Sequence, residues 1–434
     1  MTRLRTILTA LLVAAPLMLL VTVDAPAQDT IRIGVEGNRG VQPGLVVLPG
    51  PGLDSVRAIV RRDLDYSDRF QMIEVGDSPT TDGVQVNYGI YKTLGATFAV
   101  ELAEGTGGVT ARLHDVPRSK VTNQQVFSLV ANTDPGFRLD VHRVADEIAR
   151  WATGTTGFAA SRVLFVSEGR IYRVDSDGFD LTPLTPAGQT SLSPAWSPDG
   201  QQFAYTQLGA GRGGIAVQNL ATGAIVPVVG TQSGLNITPA FSPDRKTLAY
   251  AHSDESGTDI FSTNVVDRCC AQRLTVGRYA DNLSATFSPD GRRIAFVSTR
   301  AGPPQIYVMA ADGTDQELLA PFDFGATGAS NAPDWSPDGA NVVFHREVDR
   351  SPQIFLVEVS RRSVRQLTAA GRNEDATWAP DGRHFAFVSD RSGVRQLWVI
   401  DIETGRVRQL KSPGAARLPA WSRRLGRTAA ASNP

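Results

Sequence analysis

The pentapeptide Trp196-Ser197-Pro198-Asp199-Gly200 (WSPDG) is repeated along this chain of 434 residues. Near-copies follow it at regular intervals, beginning at Phe241, Phe287, Trp335, Trp378 and, in degenerate form, Trp421. Successive copies are 45, 46, 48, 43 and 43 residues apart. A period of about 40–50 residues is typical of propellers and of solenoids, so the residues between the copies must distinguish the two.

The stretch between two copies predicts four short β-strands. Two apolar runs of strand length follow each copy, as Phe203–Tyr205 and Ile215–Val217 do after the first. Turn residues such as Thr222-Gly223 come next, then a third run, and the residues that lead into the next copy make the fourth. No convincing helical periodicity interrupts this pattern. Four-stranded units at this period indicate the blades of a β-propeller.

The WSPDG copies themselves are interpreted as turns. Ser, Pro and Gly occupy positions that a type I turn prefers, and Gly accepts the left-handed conformation that closes a bulged hairpin. The aromatic residue before them is expected to wedge between blades. The alternative is an acidic metal or ligand motif, which is disfavoured because single Asp residues on separate hairpins would not converge on one ion. Arg245 replaces Gly in one copy and Ser422-Arg423-Arg424 follows Trp421, so those two turns are predicted to be less regular.

The number of repeats predicts a closed ring. Val163–Val166, Ile171–Val174 and Leu181–Thr185 match the second, third and fourth strands of a blade that precedes the first copy. That blade lacks an innermost strand, and the chain ends on an unpaired one, Pro419–Ser422. If this last strand completes the first blade, six blades close without an exposed sheet edge.

Residues 28–152 have a different pattern, typical of a small α/β domain. Apolar stripes of helical period mark two helices, and period-two or apolar runs mark strands at Gly44–Leu48, Phe98–Leu102, Val109–Leu113 and Val126–Val130. The predicted fold class is an α/β N-terminal domain followed by an all-β six-bladed β-propeller, closed by pairing of the C-terminal strand with the first blade. The predicted boundaries are a linker at 153–160, the propeller at 161–425 and a tail at 426–434.

The first residues predict export. Arg3 and Arg5 precede an apolar stretch from Ile7 to Val23, and Ala25-Pro26-Ala27 is a small-residue cleavage pattern. We expect a signal peptide at 1–27 that is removed from the mature chain. An uncleaved membrane anchor is the alternative, because the apolar stretch is almost long enough to span a bilayer.

Charge and cysteine content exclude some roles. The formal net charge of −1 gives no overall electrostatic reason to bind nucleic acid. Cys269 and Cys270 are adjacent, and a disulfide between neighbours would be strained because their Cα atoms are only about 3.8 Å apart. The pair is interpreted either as a redox switch or as two cysteines that are merely tolerated at this position. In neither case do we expect it to hold the fold together.

Enzymatic chemistry is not predicted. No G-x-S-x-G nucleophile elbow of an α/β-hydrolase is present. The histidines are scattered and are interpreted as surface or strand-end residues: His114, His142, His252, His345 and His384. We therefore predict no catalytic residue, no bound metal and no cofactor. A propeller hydrolase and a propeller that binds glycan or peptidoglycan are the alternatives to a protein-binding scaffold.

The chain resembles the TolB family of the Tol–Pal envelope system. Besides the repeats, the residues that carry the resemblance are Gly44–Leu48, Ala58–Leu64, Asp68–Phe70, Ala145–Ile148, Arg162–Val166 and Leu418–Ser422. The resemblance implies a periplasmic, non-enzymatic scaffold, monomeric and peripheral to membranes. It also implies roles in outer-membrane integrity, in constriction at cell division and in macromolecule import.

The resemblance further implies two protein partners. A TolA-like inner-membrane protein would bind the N-terminal segment 28–36, where Ile31, Arg32, Ile33, Val35 and Glu36 follow the family's pattern. Taken by itself, that segment is equally well an edge strand of the first domain.

A Pal-like peptidoglycan-associated lipoprotein would dock on one propeller face, through loops that enter the innermost strands. The matching positions are Leu235, Asn236, Thr238, Asn282 and Leu283, with Asn331, Asp375 and Arg417 on equivalent loops. Leu235 and Leu283 stand where His and Thr are expected, so the chemistry of the contact differs from that of the best-known members. Arg300, Arg346 and Arg391 are expected on the same face, either pairing with acidic groups of the partner or simply as solvated loop residues.

Overall fold

The structure is a computed structural model that describes residues 42–75, 86–209, 212–230, 234–277, 280–322 and 328–426. The predicted signal peptide at 1–27 and the segment 28–36 lie outside the described residues, as does the tail beyond residue 426. Within the described ranges, no helix combines the length and the apolar character that crossing a membrane would require.

The first region is an α/β domain with a mixed sheet. Its elements are β1 (Gly44–Val47), α1 (Asp54–Tyr66), β2 (Gln71–Met72), α2 (Tyr88–Thr93), β3 (Ala96–Gly105), β4 (Gly108–Asp115), β5 (Lys120–Ser128) and α3 (Phe137–Thr153). The strand order is β2-β1-β3-β4-β5, with β1 parallel to both its neighbours and β3, β4 and β5 antiparallel. The predicted helices and strands are confirmed, although β5 begins earlier than expected. The short β2 and α2 were not predicted.

The core of this domain lies between the helices and one face of the sheet. In α1 and α3 the apolar residues recur every three or four positions, so each helix presents one apolar stripe. Both stripes are buried in a single cluster with Leu45, Val100 and Leu113 of the sheet. α3 ends where Gly154 adopts φ +77°, a left-handed conformation that favours glycine and terminates the helix.

The second region consists of short antiparallel strands in four-stranded groups. In chain order they are β6 (Arg162–Ser167), β7 (Arg170–Asp175), β8 (Thr182–Pro183), β9 (Thr190–Trp196), β10 (Gln202–Gly209), β11 (Arg212–Asn219), β12 (Ile225–Val229), β13 (Leu235–Phe241), β14 (Thr247–Asp254), β15 (Gly257–Asn264), β16 (Cys269–Arg273), β17 (Asn282–Phe287), β18 (Arg293–Ser298), β19 (Gln305–Ala310), β20 (Glu317–Leu318), β21 (Ser330–Trp335), β22 (Asn341–Val348), β23 (Ser351–Glu358), β24 (Ser363–Gln366), β25 (Asn373–Trp378), β26 (His384–Ser389), β27 (Gln396–Asp401), β28 (Val407–Leu410) and β29 (Ala416–Trp421).

Each group begins with an inner strand that ends in a WSPDG copy. The inner strands are β9, β13, β17, β21, β25 and β29, and each pairs with the strand that follows its turn, except that β29 pairs with β6. A single parallel pair, Gly213 with Leu235, joins the β9–β12 and β13–β16 groups into one sheet. These sheets confirm the predicted succession of an α/β region and a β-propeller.

The repeated pentapeptide forms a turn held by its own side chains. The Gly200 N–H donates to the Ser197 carbonyl oxygen at 2.8 Å, the Ser197 hydroxyl donates to Asp199 Oδ1 at 2.6 Å, and the Gln202 N–H donates to Ser197 Oγ at 2.9 Å. The same three bonds recur at Ser242, Ser288 and Ser336. The Asp is thus a turn residue, as predicted.

Arg245 does not disturb its turn, so that prediction was wrong. The Arg245 N–H donates to the Ser242 carbonyl oxygen at 2.9 Å, and Arg245 adopts φ +65°, close to the +69° of Gly200. The serine and aspartate side chains hold the turn whether or not glycine closes it. At Trp421 the turn is replaced: the Ser422 N–H donates to the Arg162 carbonyl oxygen at 2.8 Å.

The aromatic residue of the pentapeptide wedges between neighbouring groups, as predicted. Trp196 Nε1 donates to the Ala420 carbonyl oxygen at 2.9 Å, and Trp335 Nε1 donates to the Thr286 carbonyl oxygen at 3.2 Å. In both cases the acceptor lies on the inner strand of the preceding group. Each indole therefore buries apolar surface, and its hydrogen bond also fixes the spacing between two sheets.

The adjacent Cys269 and Cys270 form a disulfide on the outer strand β16. Both residues are exposed. Because the bridge joins chain neighbours, it closes no loop and does not restrict the unfolded chain in the way a long-range disulfide does. The expectation that the pair does not hold the fold together is consistent with this position.

The α/β domain contacts the propeller at the end that carries the WSPDG turns. The turn after α1 lies against the copy that begins at Trp378: Arg69 Nη2 is 3.5 Å from Asp381 Oδ2, and Arg383 donates to the Asp68 carbonyl oxygen at 2.8 Å. This copy has Ala379 in place of Ser, and its Asp381 also binds His384. We call this contact between the two parts the joint.

Candidate protein-binding face and central channel

The end of the propeller opposite the joint is formed where the inner strands begin. Because each inner strand is antiparallel to its neighbour, its first residue lies beside the last residues of the next strand, as Asn282 lies beside Ser298 and Ser330 beside Arg346. We call this end the loop face. It brings together most of the residues predicted to bind a partner: Leu235, Asn236, Asn282, Leu283, Asn331, Arg417, Arg300, Arg346 and Arg391.

Two of the arginines fasten the start of an inner strand. Arg300 Nη2 donates to Asn282 Oδ1 at 3.0 Å, and Arg391 Nη2 donates to Asn373 Oδ1 at 2.9 Å. Each guanidinium also lies over an aromatic ring, 4.8 Å from Tyr307 and 5.0 Å from Trp398. Burial lowers the pKa of Arg391 to about 10, so the side chain is cationic at neutral pH. Both arginines are held in place while presenting charge at the face.

Three predicted contact residues are buried instead. Asn236 donates to the Gly230 carbonyl oxygen at 2.9 Å, and Asn282 donates to Asp259 Oδ1 at 3.0 Å. Arg346 binds Ser330 Oγ at 2.9 Å and the Ala320 carbonyl oxygen at 2.8 Å. The interpretation of Arg346 as a solvated loop residue was wrong. These three side chains shape the loops that neighbouring residues expose.

A cavity of about 740 Å³ lies between the inner strands. One residue of each inner strand lines it with a left-handed backbone, at φ between 49° and 54°: Ser193, Thr238, Ser284, Ala332, Asp375 and Leu418. The strand register shifts at each of these positions, which is a β-bulge that redirects the side chain. Thr238 and Asp375, predicted on the loops, therefore face this channel.

Two of the bulges also bond to the preceding four-stranded group. The Thr238 N–H donates to Thr206 Oγ1 at 3.2 Å, and the Leu418 N–H donates to Asp375 Oδ2 at 3.2 Å. A left-handed non-glycine residue costs about 1–3 kcal/mol, and such a cost is retained only where the surroundings hold it. These hydrogen bonds are part of what holds it here.

The channel wall formed by β21 and β25 carries carboxyl groups. Burial raises the pKa of Asp334 to about 6, against the opposing effect of hydrogen bonds from the Trp378 N–H at 2.8 Å and Thr377 Oγ1 at 3.1 Å. Burial also raises the pKa of Asp375. Beside them, burial lowers the pKa of His345 to about 4, so its ring is neutral at pH 7. The acceptors of this wall bond to the neighbouring inner strands, as Asp334 does to β25 and Asp375 does to β29.

Sequence reasoning missed Asp334. A signal exists, because this position before the aromatic residue holds Ala or Thr in the other copies. The residue at the bulge gave no signal of that kind, since five residue types adopt the same backbone at the six positions.

The interpretation of the histidines as surface or strand-end residues was wrong for His142 and incomplete for two others. His142 is buried within α3, whereas His114 near the end of β4 and His384 at the start of β26 are strand-end residues that are also buried. His114 bonds to Tyr88 at 2.9 Å and to Glu101 at 3.0 Å. His142 and His384 each lie among carboxylates.

Two groups at the joint have metal-ligand residue types within 4.8 Å of one another: Asp63, His142 and Asp177, and Asp68, His384 and Asp401. Arginines already bind these carboxylates, with Arg62 at 2.8 Å from Asp177 and Arg406 at 3.0 Å from Asp68. A dication placed beside these guanidinium groups would be repelled by them. The two groups are therefore ion-pair clusters rather than metal sites.

A family model described as "TolB beta propeller domain" matches residues 150–323 and 324–431. The chain belongs to the TolB β-propeller family. Its membership confirms the resemblance noted in the sequence, and, as this is a family of propeller scaffold proteins, it also confirms that the chain is not an enzyme.

Relatives in two groups of bacteria support the assignment. The Tol-Pal system protein TolB of Bordetella parapertussis is 29% identical over 317 residues, covering 70% of this chain and 71% of the relative. The protein of the same name from Bordetella pertussis matches with the same identity and coverage. The crystal structure of TolB from Acinetobacter baumannii has a TM-score of 0.76 over 88% of this chain and 97% of that chain, at 23% identity. That likeness extends the shared fold to the α/β domain.

Proposed function

We propose that this chain is a periplasmic protein-binding scaffold of the Tol–Pal system. The names of its relatives support a role in this system, and the arrangement of the two ends of the propeller supports the proposed mode of binding. The α/β domain lies against the WSPDG turns, whereas the loop face is the end away from it. A partner can therefore dock on the loop face without displacing the α/β domain.

The architecture proposed for this role is a closed ring of six blades. The C-terminal strand β29 pairs with β6, with Trp421 opposite Val163. The inner strands contact one another in chain order, and β29 contacts β9. The proposed domain boundaries are those derived from the sequence: 1–27, 28–152, 153–160, 161–425 and 426–434. The Leu425 N–H donates to the Ala160 carbonyl oxygen at 2.8 Å, which supports ending the propeller there.

A Pal-like peptidoglycan-associated lipoprotein is the proposed partner of the loop face. Exposed or half-buried side chains would make the contact: Leu235, Leu283, Asn331, Arg300, Arg391 and Arg417. Asn236, Asn282 and Arg346 would position those loops, and Thr238 and Asp375 would contact a partner segment that reaches into the channel. The arginines suit acidic groups on the partner.

A TolA-like inner-membrane protein is the proposed partner of the segment 28–36, through Ile31, Arg32, Ile33, Val35 and Glu36. An extended segment of this composition suits strand addition to a partner's sheet. The chain would be a monomer in the periplasm, exported by residues 1–27 and peripheral to the membranes. Through both partners it would support outer-membrane integrity, constriction at cell division and macromolecule import.

The loop-face contact is tested with the mature chain and the soluble domain of a Pal-like lipoprotein from the same source. We expect the variant L235A/L283A/R417A to bind at least about tenfold more weakly by calorimetry, because it removes the apolar and cationic contacts of the face. V266A, an exposed valine at the opposite end of the propeller, is the matched control and should bind like the wild type. Equal binding by both variants would contradict the proposed face. Recovery of glycan instead of a lipoprotein from envelope extract would favour the glycan-binding alternative.

The N-terminal contact is tested by deleting residues 28–36. We expect binding of a TolA-like domain to be lost and the thermal midpoint to stay within about 2 °C of the wild type. A large fall in the midpoint would mean that the segment is chiefly an edge strand of the first domain.

A further inference from the structure

Two buried histidines lie in the joint, and each faces carboxylates from both directions. His142, on α3 of the α/β domain, has Nδ1 at 2.6 Å from Asp63 Oδ2 and Nε2 at 3.7 Å from Asp175 Oδ2. Asp63 belongs to α1, whereas Asp175 ends β7 of the propeller. The side chain of His142 is 0% exposed. Its ring therefore connects the two parts of the molecule through two acidic groups.

His384 makes the reciprocal connection. It begins β26 of the propeller, with Nδ1 at 2.8 Å from Asp381 Oδ2 and Nε2 at 3.2 Å from Asp68 Oδ2 of the α/β domain. Its side chain is also 0% exposed, and the ring of Phe158 lies with its centroid 4.5 Å away, tilted by 43°. Water cannot replace a partner that this ring loses.

A neutral imidazole does not fit either place. It has one N–H and one lone pair, so one of its nitrogens would point a lone pair at a carboxylate oxygen. An imidazolium ring donates from both nitrogens, so His384 satisfies both of its carboxylates only when it carries both ring protons. His142 donates to Asp63 alone, and its Nε2, 3.7 Å from Asp175 Oδ2, contributes the attraction of its charge rather than a hydrogen bond.

Charged groups from both parts of the molecule surround each histidine, and those around His142 balance without its ring proton. Around His142 the charged groups on the packed elements are Asp63, Arg62, Arg138, Asp175, Asp177, Arg162, Asp180 and Arg173. Around His384 they are Asp65, Asp68, Arg69, Asp381, Arg383, Asp401, Glu403, Arg406 and Arg408. Around His384 the carboxylates outnumber the guanidinium groups by one, so the charges are equal only when the imidazolium of His384 is counted.

We propose that the joint is a pH-responsive contact, closed while His142 and His384 each carry two ring protons and loosened as rising pH removes one. The inference concerns how the α/β domain is held to the propeller, and it does not depend on which protein binds the loop face. Unlike a contact between fixed charges such as arginine and aspartate, this one changes strength within the range of pH that a protein outside the cytoplasm meets.

The direction of the effect follows from the pKa values. Burial acts to lower the pKa of His142, but the charge of Asp63 and the bonds to Asp175 and Asp63 outweigh it and raise the pKa to about 10. Burial also raises the pKa of Asp63, yet the proton belongs on His142, because that ring faces two carboxylates. The pKa of His384 is raised as well, since the attraction of Asp381 and the bonds to Asp381 and Asp68 exceed the effect of burial.

A histidine with a raised pKa stabilises the folded arrangement fully below its ordinary pKa of about 6.5 and loses that contribution as pH rises through the folded value. For His142 the window runs from about 6.5 to about 10. The joint is thus expected to be tight at pH 6 and to weaken progressively on the alkaline side.

The test measures the distance across the joint as pH is raised from 6 to 9.5. Spin labels are attached to Val121→Cys in the α/β domain and Val266→Cys in the propeller, both exposed valines, and the distance distribution is recorded by pulsed electron resonance. We expect a narrow distribution at pH 6 that broadens or lengthens toward pH 9.5. The double variant H142Q/H384Q should be broad at pH 6 already and should change less with pH.

His114→Gln is the matched control, because His114 is buried in the α/β domain and, within the part of the chain that the structure describes, its side chain bonds to Tyr88 and Glu101 of the same domain and not to the propeller. It should keep the pH dependence of the wild type. If the double variant fails to fold, nuclear magnetic resonance of the wild-type ring protons serves instead, with both histidines expected to titrate above the ordinary value of about 6.5. A distance that does not change with pH, the same pH dependence in the double variant, or a histidine that titrates at or below about 6.5 would overturn the proposal.

Discussion

At the scale of single residues, the repeated pentapeptide is stabilised by its own polar side chains. Ser336 illustrates this: its hydroxyl donates to Asp338 Oδ1 at 2.5 Å and accepts the Asn341 N–H at 2.9 Å. In each copy that has both the serine and the aspartate, the aspartate side chain is therefore bonded within the turn. Where Ala379 replaces the serine, the aspartate becomes available and binds His384 in the joint. The chemistry of one residue thus decides whether a copy is a plain turn or a contact between domains.

Arg245 gives a prediction at this scale. It holds φ +65° where the other complete copies have glycine, and its guanidinium pairs with Asp199 at the surface. We expect R245G to unfold with a free energy about 1 kcal/mol higher than R245A, because both lose the ion pair but only glycine relieves the left-handed backbone. Urea denaturation measures the difference. Equal stability of the two variants would show that the turn imposes no strain on a side chain.

Asp334 gives a second prediction. Its pKa is raised to about 6 by burial, whereas an unfolded Asp titrates near 3.9, so the folded state binds more protons between these values. Its contribution to the free energy of unfolding therefore falls as pH rises from about 4 to about 6. Asparagine keeps an oxygen for the Trp378 N–H but has no proton to lose. We expect D334N to match the wild type near pH 4 and to be more stable by about 1 kcal/mol or more at pH 7. A constant difference between them across this range would contradict the raised pKa.

At the scale of elements, the sequence predicted the strands and helices whose residues recur at a regular spacing. The repeat spacing placed the inner strands and the second and third strands of each group, and the apolar stripes placed α1 and α3. β2 and α2 were not predicted, because elements of two and six residues are too short to show a periodic apolar pattern. The side of α3 that carries His142 was interpreted as solvent-facing. A polar helix face has the same residue pattern whether it contacts water or a second domain. Burial against another part of the chain cannot be read from one helix alone.

The strand β29 gives a prediction at this scale. Removing it by a stop codon after Ala415 would expose the edge of β6, with Val163 and Phe165 no longer covered. We expect this truncation to unfold or to associate through the free edge, as measured by size-exclusion chromatography and circular dichroism. A stop codon after Gly426 keeps the Leu425 bond to Ala160 and should leave the thermal midpoint unchanged. A monomeric, cooperatively folding protein without β29 would contradict the role assigned to this pairing.

At the scale of the whole molecule, the two ends of the propeller have different characters. One end is covered by the α/β domain through largely buried ion pairs such as Arg62 with Asp177, Arg69 with Asp381 and Arg138 with Asp175, and the other presents half-buried leucines and fastened arginines. Charged clusters of the first kind specify one arrangement strongly, since removing one partner leaves another charge buried and alone. The domain contact is therefore expected to be well defined in geometry even though it is not chiefly apolar.

Two neighbouring aspartates test this view of the joint. The side chain of Asp68 is buried and binds His384 and Arg406, and its backbone carbonyl accepts from the Arg383 guanidinium. The side chain of Asp65 is partly exposed and, among the described residues, binds Arg406 alone. We expect D68N to lower the free energy of unfolding by about 3 kcal/mol and to separate the melting of the two parts in calorimetry. D65N should cost about 1 kcal/mol or less and keep a single transition. Equal effects of the two substitutions would show that burial does not decide the strength of the joint.

The pairing of β29 with β6 also has a consequence for biosynthesis. The ribosome makes β6 early and β29 last, so the sheet that begins the propeller stays incomplete until nearly the whole polypeptide has emerged. During that interval the nascent molecule presents an uncovered strand edge, the kind of feature that invites misassembly and calls for chaperone protection. Completion of this sheet therefore waits for β29, and premature termination between β6 and β29 should yield material that is cleared rather than a shorter working form.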